Sequence, residues 1–221
     1  MSYVFLLSPI LVMFVICVGA SLTPGALIFL KVEEITRNGN LLLRAFGLGC
    51  SLGLGFFLYG LTIIFIVPLF NLPFIPFVRS YRGPWFSLES IPWYIHNALT
   101  YLVRYTILDL MTPSPINLLF YKMMGMKIGK NVMINSTNIS DPCLIELDDY
   151  VVIGGSASLM AHYGMKGYLI IDKLIIGKGT TVGLNANIMG GVRIGEKCTI
   201  TPNAVVLPKT VIPDHTKYGM E

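Results

Sequence analysis

An imidazole exchanges a proton near neutral pH, so histidines are the first place to look for acid–base chemistry. The 221-residue chain has three: His96, His162 and His215. His162 stands out by position, because it closes one apolar pattern, and a second, very regular pattern resumes only at Ile176. On residue type alone His162 reads as an ordinary corner residue; what marks it is the interruption that follows. His96 falls in an amphipathic segment and reads as a packing or headgroup contact, and His215 as a solvated residue near the end of the sequence. The four cysteines, Cys17, Cys50, Cys143 and Cys198, include no CxxC pair, so they read as small apolar core residues and not as a zinc or redox motif. No metal is expected.

The element that must position His162 is a repeat. Every sixth residue from Ile176 onward is β-branched and apolar: Ile176, Val182, Ile188, Ile194, Ile200, Val206 and Ile212. The earlier part shows the period less cleanly, at Ile128 and Ile134, Ile139 and Ile145, then Leu147, Ile153 and Leu159, with phase slips expected near residues 135–147. One inward aliphatic per six residues is the mark of a hexapeptide solenoid, in which three short strands and three corners make one coil. Leu159 and Ile176 are seventeen residues apart, which is six plus eleven, so residues 163–173 leave the coil and rejoin it in register. A loop of that kind at one corner walls off a cleft. One coil is about eighteen residues in such a fold. That stacks Glu146 near His162 as the carboxylate to orient its second nitrogen, with Asp141 and Asp148 as alternatives.

Composition places something apolar ahead of the repeat. Hydrophobic residues make up 54% of the chain and charged residues only 13%, about half the usual charged share of a soluble domain. Residues 3–30 and 45–70 are uncharged, and each exceeds the ~20 residues that span a bilayer as a helix. With the polar segment 31–44 as the turn, they predict a two-span hairpin; the first lacks the positive start of a cleaved signal peptide. Basic residues flank both spans, so charge gives no orientation. The Gly49–Gly53 spacing suits close helix packing, within the hairpin or against another subunit. Residues 91–111 read as an amphipathic helix along the membrane interface, with a buried helix of the folded domain as the other reading of the same period. Residues 116–124 form one more short helix, a candidate cap for the solenoid. The domains expected are thus 1–70, the hairpin; 71–124, connector and interfacial helices; and 125–221, the β-solenoid. The net charge of +4 comes without a basic run, so nucleic acid is not an expected partner. The sequons at Asn135 and Asn138 read as corner residues.

The segment IGKGTTVGLNANIMGGVRIGEKCTITPNAVVLPKTVIPDHTKYGM resembles the closing coils of left-handed β-helix hexapeptide acyltransferases. Gly190, Gly191, Val192, Ile194 and Gly195 match the central motif, and Tyr218 and Gly219 match the start of a terminal cap that reads as abbreviated at Met220 and Glu221. The likeness covers residues 124–220. The layout upstream, with Gly125, Ile128 and Gly129, is similar to the membrane-bound hexapeptide domains of some non-ribosomal peptide and poly-amino-acid synthetases.

The resemblance implies a left-handed parallel β-helix and a homotrimer with acyl-CoA bound in grooves between prisms. It implies that His162 is the general base that deprotonates a hydroxyl or amine acceptor for attack on the thioester. By motif, Gly183, Asn185, Gly191 and Ala204 are the corners that meet the pantetheine arm, and Lys209 and Lys217 meet the CoA phosphates. The expected function is a membrane-anchored acyltransferase, with acetyl-CoA or another acyl-CoA as donor. The acceptor is a small molecule, a lipid-linked group or a peptide, and the β-helix faces the cytoplasm, where CoA is supplied. Alternatives are a non-catalytic trimeric membrane scaffold, a transferase fed by a carrier-bound aminoacyl thioester, and a γ-class carbonic anhydrase. The last needs three zinc-binding histidines, and only His162 lies in the body of the repeat.

Overall fold

A computed structural model describes residues 4–219, with side chains from Ser8 onward. The predicted start of the first span at Tyr3 and the cap residues Met220 and Glu221 lie outside the described residues. The chain divides into two compact units, one ending at Phe70 and one beginning at Asn71.

In the second unit, strands of two or three residues between Lys127 and Tyr218 stack in three parallel sheets of five, five and four strands. Ile176 pairs with Ile194, Val182 with Ile200, Ile188 with Val206 and Ile194 with Ile212, always eighteen residues apart. All seven aliphatics of the regular series point inward, each no more than 3% exposed. Each such side chain contributes about 1.5–3 kcal/mol by leaving water, and that offsets the entropy of fixing so many tight corners. Corner residues such as Asn185, Asn203 and Lys209 take left-handed backbone angles, which bend the chain between sheets.

Register survives the interruption. Leu147 pairs with Ile176, Ile153 with Val182 and Leu159 with Ile188, each 29 residues on, eleven more than the eighteen above. The surplus is an antiparallel hairpin, His162–Met165 against Tyr168–Ile171. Lys166 and Gly167 turn it with φ of 51° and 81°, the paired positive angles of a tight hairpin turn. A third strand, Tyr81–Pro84, adds antiparallel to Tyr168–Ile171. Gly164 serves close approach and not turning: a Cβ there would lie 2.8 Å from the Trp85 ring.

The first coil carries the phase slips. Ile128 pairs with Leu147 and Ile134 with Ile153, nineteen residues on, but Ile139 pairs with Leu159, twenty on. From Ile134 to Ile139 the step is five residues, and from Ile139 to Leu147 it is eight. The long corner contains the 3-10 turn Pro142–Leu144, led by Asp141 at φ 60°.

Two helices close the base of the coil. Helix α3, Ile91–Arg104, packs on the strand Ile139–Ser140, and α4, Pro115–Met123, packs on the strands Lys127–Ile128 and Met133–Ile134. Ser114 caps α4 by accepting from the Ile116 amide, and the Asn117 amide group donates to the Ile134 carbonyl. Helix α3 is shorter than the predicted 91–111: it ends at Arg104, with the Tyr105 amide donating to the Tyr101 carbonyl, and Leu108–Met111 forms a separate 3-10 turn. Its buried face includes Trp93, His96 and Asn97, while Leu110, in the 3-10 turn beyond its end, is exposed.

The first unit is a pair of helices, α1, Val4–Thr36, and α2, Leu41–Asn71, whose last residue already belongs to the second unit; both are long and apolar enough to cross a membrane, with mean hydropathy 2.2. The turn is confined to residues 37–40, shorter than the predicted 31–44. Lys31, Glu33 and Glu34 are sound helix formers, and α1 continues through them to Thr36. Asn40 starts α2 by accepting the Leu42 amide, and Glu33 pairs with Arg44 across the turn at 3.0 Å. The helices cross at Gly25 and Gly55, where a Cβ on Gly25 would lie 2.7 Å from Gly55 Cα. Gly49 and Gly53 have open space where a Cβ would go, so the predicted small-residue pair does not pack the hairpin on itself.

Candidate active site

Three elements meet at His162. Backbone pairing of Ser140 with Met160 sets Asp141 beside Ala161 one coil above, so the long corner delivers its carboxylate to the first residue of the hairpin. The His162 Nδ1 lies 2.6 Å from Asp141 Oδ2, which also accepts the Ala161 amide at 2.9 Å. From α3, Trp93 Nε1 donates to Asp141 Oδ1 at 2.6 Å and Asn97 Nδ2 donates to it at 2.5 Å. The Asn97 Oδ1 accepts the Asp141 amide at 3.1 Å, which fixes the carboxylate's own backbone. Trp93 and Asn97 are four residues apart and share a helix face, which is why one α3 turn supplies both donors.

The Asp141 side chain is fully buried and that of His162 is 19% exposed. Burial resists ionisation of Asp141, but the hydrogen bond and charge of His162, with the Asn97 hydrogen bond and nearby His96, outweigh it and hold the carboxyl below its usual range. An ionised carboxylate only accepts, so Nδ1–H is the donor toward Asp141, and Nε2 is the ring nitrogen left to exchange a proton. Trp93 meets the imidazole edge-on, ring centres 4.9 Å apart, and closes one side of it. From above, the next coil packs on the same backbone: a Cβ on Gly190 would lie 3.0 Å from the Ala161 carbonyl carbon and 3.1 Å from His162 N. This is an oriented imidazole with one basic nitrogen available, the arrangement that removes a proton from a hydroxyl or amine.

The carboxylate expected on His162, Glu146, is elsewhere. Its Oε1 accepts Lys127 Nζ at 3.0 Å and Lys173 Nζ at 3.2 Å; those lysines, Lys127 foremost, hold its carboxyl below the usual range. It ties the returning end of the excursion to the first coil. The eighteen-residue stacking rule fails here because this coil is twenty residues long at the His162 corner. Asp141, the alternative, takes the place.

The six residues expected to meet a donor divide between corners. Gly191, at φ 78°, and Lys209, at φ 61°, stack above His162 at the same corner, with Lys209 running over Gly191. Gly183, Asn185 and Ala204 belong to the neighbouring corner. There Gly183 packs against Pro202, and the Asn185 side chain donates to Asn203 Oδ1 one coil on, at 3.0 Å. Lys217 lies outward on the strand Lys217–Tyr218, beside Thr199. His96 is fully buried on α3, its Nδ1 3.1 Å from Asn71 Oδ1 and its Nε2 without a hydrogen-bond partner. Burial pulls its pKa down to about 4 against the opposing field of Asp141. Among the described residues no three His, Cys, Asp or Glu side chains gather as a metal site.

No protein-family profile matches the chain. It is 23% identical over 138 residues to the "Putative acetyltransferase YvoF" of Bacillus subtilis strain 168, which covers 58% of this chain and 80% of that protein. A hexapeptide-repeat acetyltransferase of Vibrio cholerae O1 biovar eltor, VCA0836, solved with acetyl coenzyme A, shares 26% identity over 41% of this chain at a TM-score of 0.37. The chain spans about half, 52%, of that protein's length. A serine acetyltransferase solved with cysteine shares 19% identity over 90% of this chain and 91% of its own, at a TM-score of 0.38.

Proposed function

We propose that this protein is a CoA-dependent acyltransferase in which His162, oriented by Asp141, is the general base. The observation that carries this reading is the buried Asp141–His162 pair at the root of an excursion that leaves the coil in register. His162 Nε2 takes the proton from an acceptor hydroxyl or amine as its oxygen or nitrogen attacks the thioester carbonyl. Collapse of the tetrahedral adduct expels the CoA thiolate, which takes up the proton from the imidazolium. Asp141 stabilises that imidazolium without itself being protonated. Two features support the reading: the curated relative that bears an acetyltransferase name, and the stacking of Gly191 and Lys209 at the His162 corner. Lys209, with Lys217, would meet the CoA phosphates, and Gly183, Asn185, Gly191 and Ala204 the pantetheine arm.

The finer parts of the reading go with it. The coil winds left-handed, three prisms form a homotrimer, and α1 and α2 anchor the chain as a hairpin with the solenoid on the cytoplasmic side. The acceptor is then a group presented at or near a bilayer surface. The test is calorimetric titration of acetyl-CoA and CoA into the detergent-purified full chain, with His162→Ala in parallel, followed by thiol release from acetyl-CoA across a panel of hydroxyl and amine acceptors. Binding by both proteins with thiol release by the wild type alone supports the assignment. Absence of binding by a folded wild type points to a carrier-bound donor or a scaffold.

A further inference from the structure

A second polar site lies where α3 ends. A recess of about 310 Å³ is bounded by Arg104, Tyr105, Asp109, Asn135, Asn138 and Ser156, among others, and nearly all its walls are polar. It arises where the first coil is one residue short, between Ile134 and Ile139. Arg104 Nη2 donates to Asn138 Oδ1, and its guanidinium lies over the Tyr105 ring at 5.1 Å and the Tyr101 ring at 5.9 Å. Asp109 Oδ1 accepts the Thr137 hydroxyl. The two opposite charges share one recess but form no ion pair with each other or with any other described residue. Each is instead fixed to a different residue of the segment 135–138.

An exposed ion pair gains little and costs side-chain entropy, so opposite charges that share a recess stay apart where other contacts hold them. Here the aromatic rings and Asn138 hold the guanidinium, and Thr137 holds the carboxylate. The buried Tyr121 hydroxyl, which has no hydrogen-bond partner, senses both: burial holds its pKa above the usual tyrosine range, Arg104 opposes that and Asp109 adds to it. A simple anion would gain Arg104 and meet Asp109; a simple cation would meet the reverse. A ligand with both charges satisfies both walls.

We propose that the Arg104–Asp109 recess is a binding site for a small zwitterion, with its carboxylate or phosphate on Arg104 and its ammonium on Asp109. A free amino acid and the phosphoethanolamine headgroup of a lipid share this chemistry. The site does not depend on the acyltransferase reading, but it shares a scaffold with the His162 site. Along α3, Asn97 reaches Asp141, Tyr101 bonds Ser140 and Arg104 reaches Asn138. The seven steps from Asn97 to Arg104 span ~10 Å of helix.

The experiment is calorimetric titration of the full chain in detergent with glycine and with O-phosphoethanolamine. Acetate and methylamine are the single-charge controls, and no acyl donor is present. One zwitterion is expected to bind at least about tenfold more tightly than either control, since both charges then make charge-assisted hydrogen bonds. Preference for glycine assigns an amino-acid ligand, and preference for phosphoethanolamine a lipid headgroup. Arg104→Gln and Asp109→Asn should each weaken binding about tenfold or more, while Arg104→Lys, which keeps the charge, should retain part of it. Equal binding of acetate and the zwitterions, no binding of either zwitterion, or an unchanged affinity in folded Asp109→Asn would overturn the proposal. Failure of thiol release from acetyl-CoA would leave it untouched.

Discussion

Replacing Asp141 with Asn changes one atom and tests the centre of the mechanism. The backbone should tolerate it, because Asn accepts the left-handed φ of 60° as readily as Asp. The hydrogen bonds should not. Asp141 accepts four: from Trp93 Nε1 and Asn97 Nδ2 on Oδ1, and from the Ala161 amide and His162 Nδ1 on Oδ2. An amide must turn its NH2 toward one of these pairs. On the Oδ2 side it confronts the Ala161 N–H, and on the Oδ1 side the Trp93 N–H; neither donor can be inverted. One buried donor therefore loses its acceptor, at a cost of about 1–3 kcal/mol, and the remaining bonds lose their charge assistance. We expect a loss of about 2–4 kcal/mol in stability by denaturant titration. For activity, the imidazolium formed during proton transfer loses its counter-charge, and with the NH2 toward His162 the wrong nitrogen carries the proton. An amide behind a catalytic imidazole can cost up to ~10⁴ in rate, so kcat for thiol release from acetyl-CoA should fall by at least ~10². A folded Asp141→Asn protein with kcat within about threefold of wild type would refute the pairing as the catalytic device.

Trp93→Phe removes one donor from Asp141 but keeps an aromatic ring against His162; kcat should fall about fivefold to tenfold, with CoA affinity unchanged by calorimetry. His96 yields a pH prediction: its folded pKa of about 4 lies below the ordinary histidine value of 6.5. The unfolded chain therefore takes up a proton first, and stability should decline as pH falls from 6.5 toward 4, by about 3 kcal/mol in all. Chemical denaturation across that window should show the decline, and His96→Gln should flatten it. Deleting residues 163–173 removes the eleven-residue surplus and should leave a folded solenoid by circular dichroism, with thiol release lost. Ile194→Ala, at a 3% exposed position of the core, should cost about 2–5 kcal/mol by denaturant titration.

Much of this architecture is written in the spacing of aliphatic residues. Each coil buries one at every sixth position, so Ile176 to Ile212 announce three sheets, and the seventeen-residue gap after Leu159 announces a detour of eleven. Asp141 was harder to read because the same arithmetic misleads there. Two extra residues in the corner that ends in Leu147 change the local coil length, and a fixed eighteen-residue step lands near Glu146. The irregularity that spoils the period is the one that turns the carboxylate toward His162. Trp93 and Asn97 lie four apart on one helix face. Their target lies 44–48 residues further along the chain, and helical periodicity does not say what a face will meet. The recess at Arg104 likewise depends on a shortened corner that periodicity registers only as noise.

The strand Tyr81–Pro84 has a consequence for the order of assembly. Neighbouring coils close loops of about eighteen residues, whereas Tyr81 pairs with Ile171, ninety residues later. Closing the longer loop costs about 1.4 kcal/mol more in chain entropy, and it must wait until residue 171 has been synthesised. The coils can zip upon one another by local steps, while the three-stranded flap docks as a late event. A full-length chain that refolds would then hold a nearly finished prism before the flap that carries His162 is fastened, so competence for chemistry should lag behind the gain of β-structure in a refolding time course.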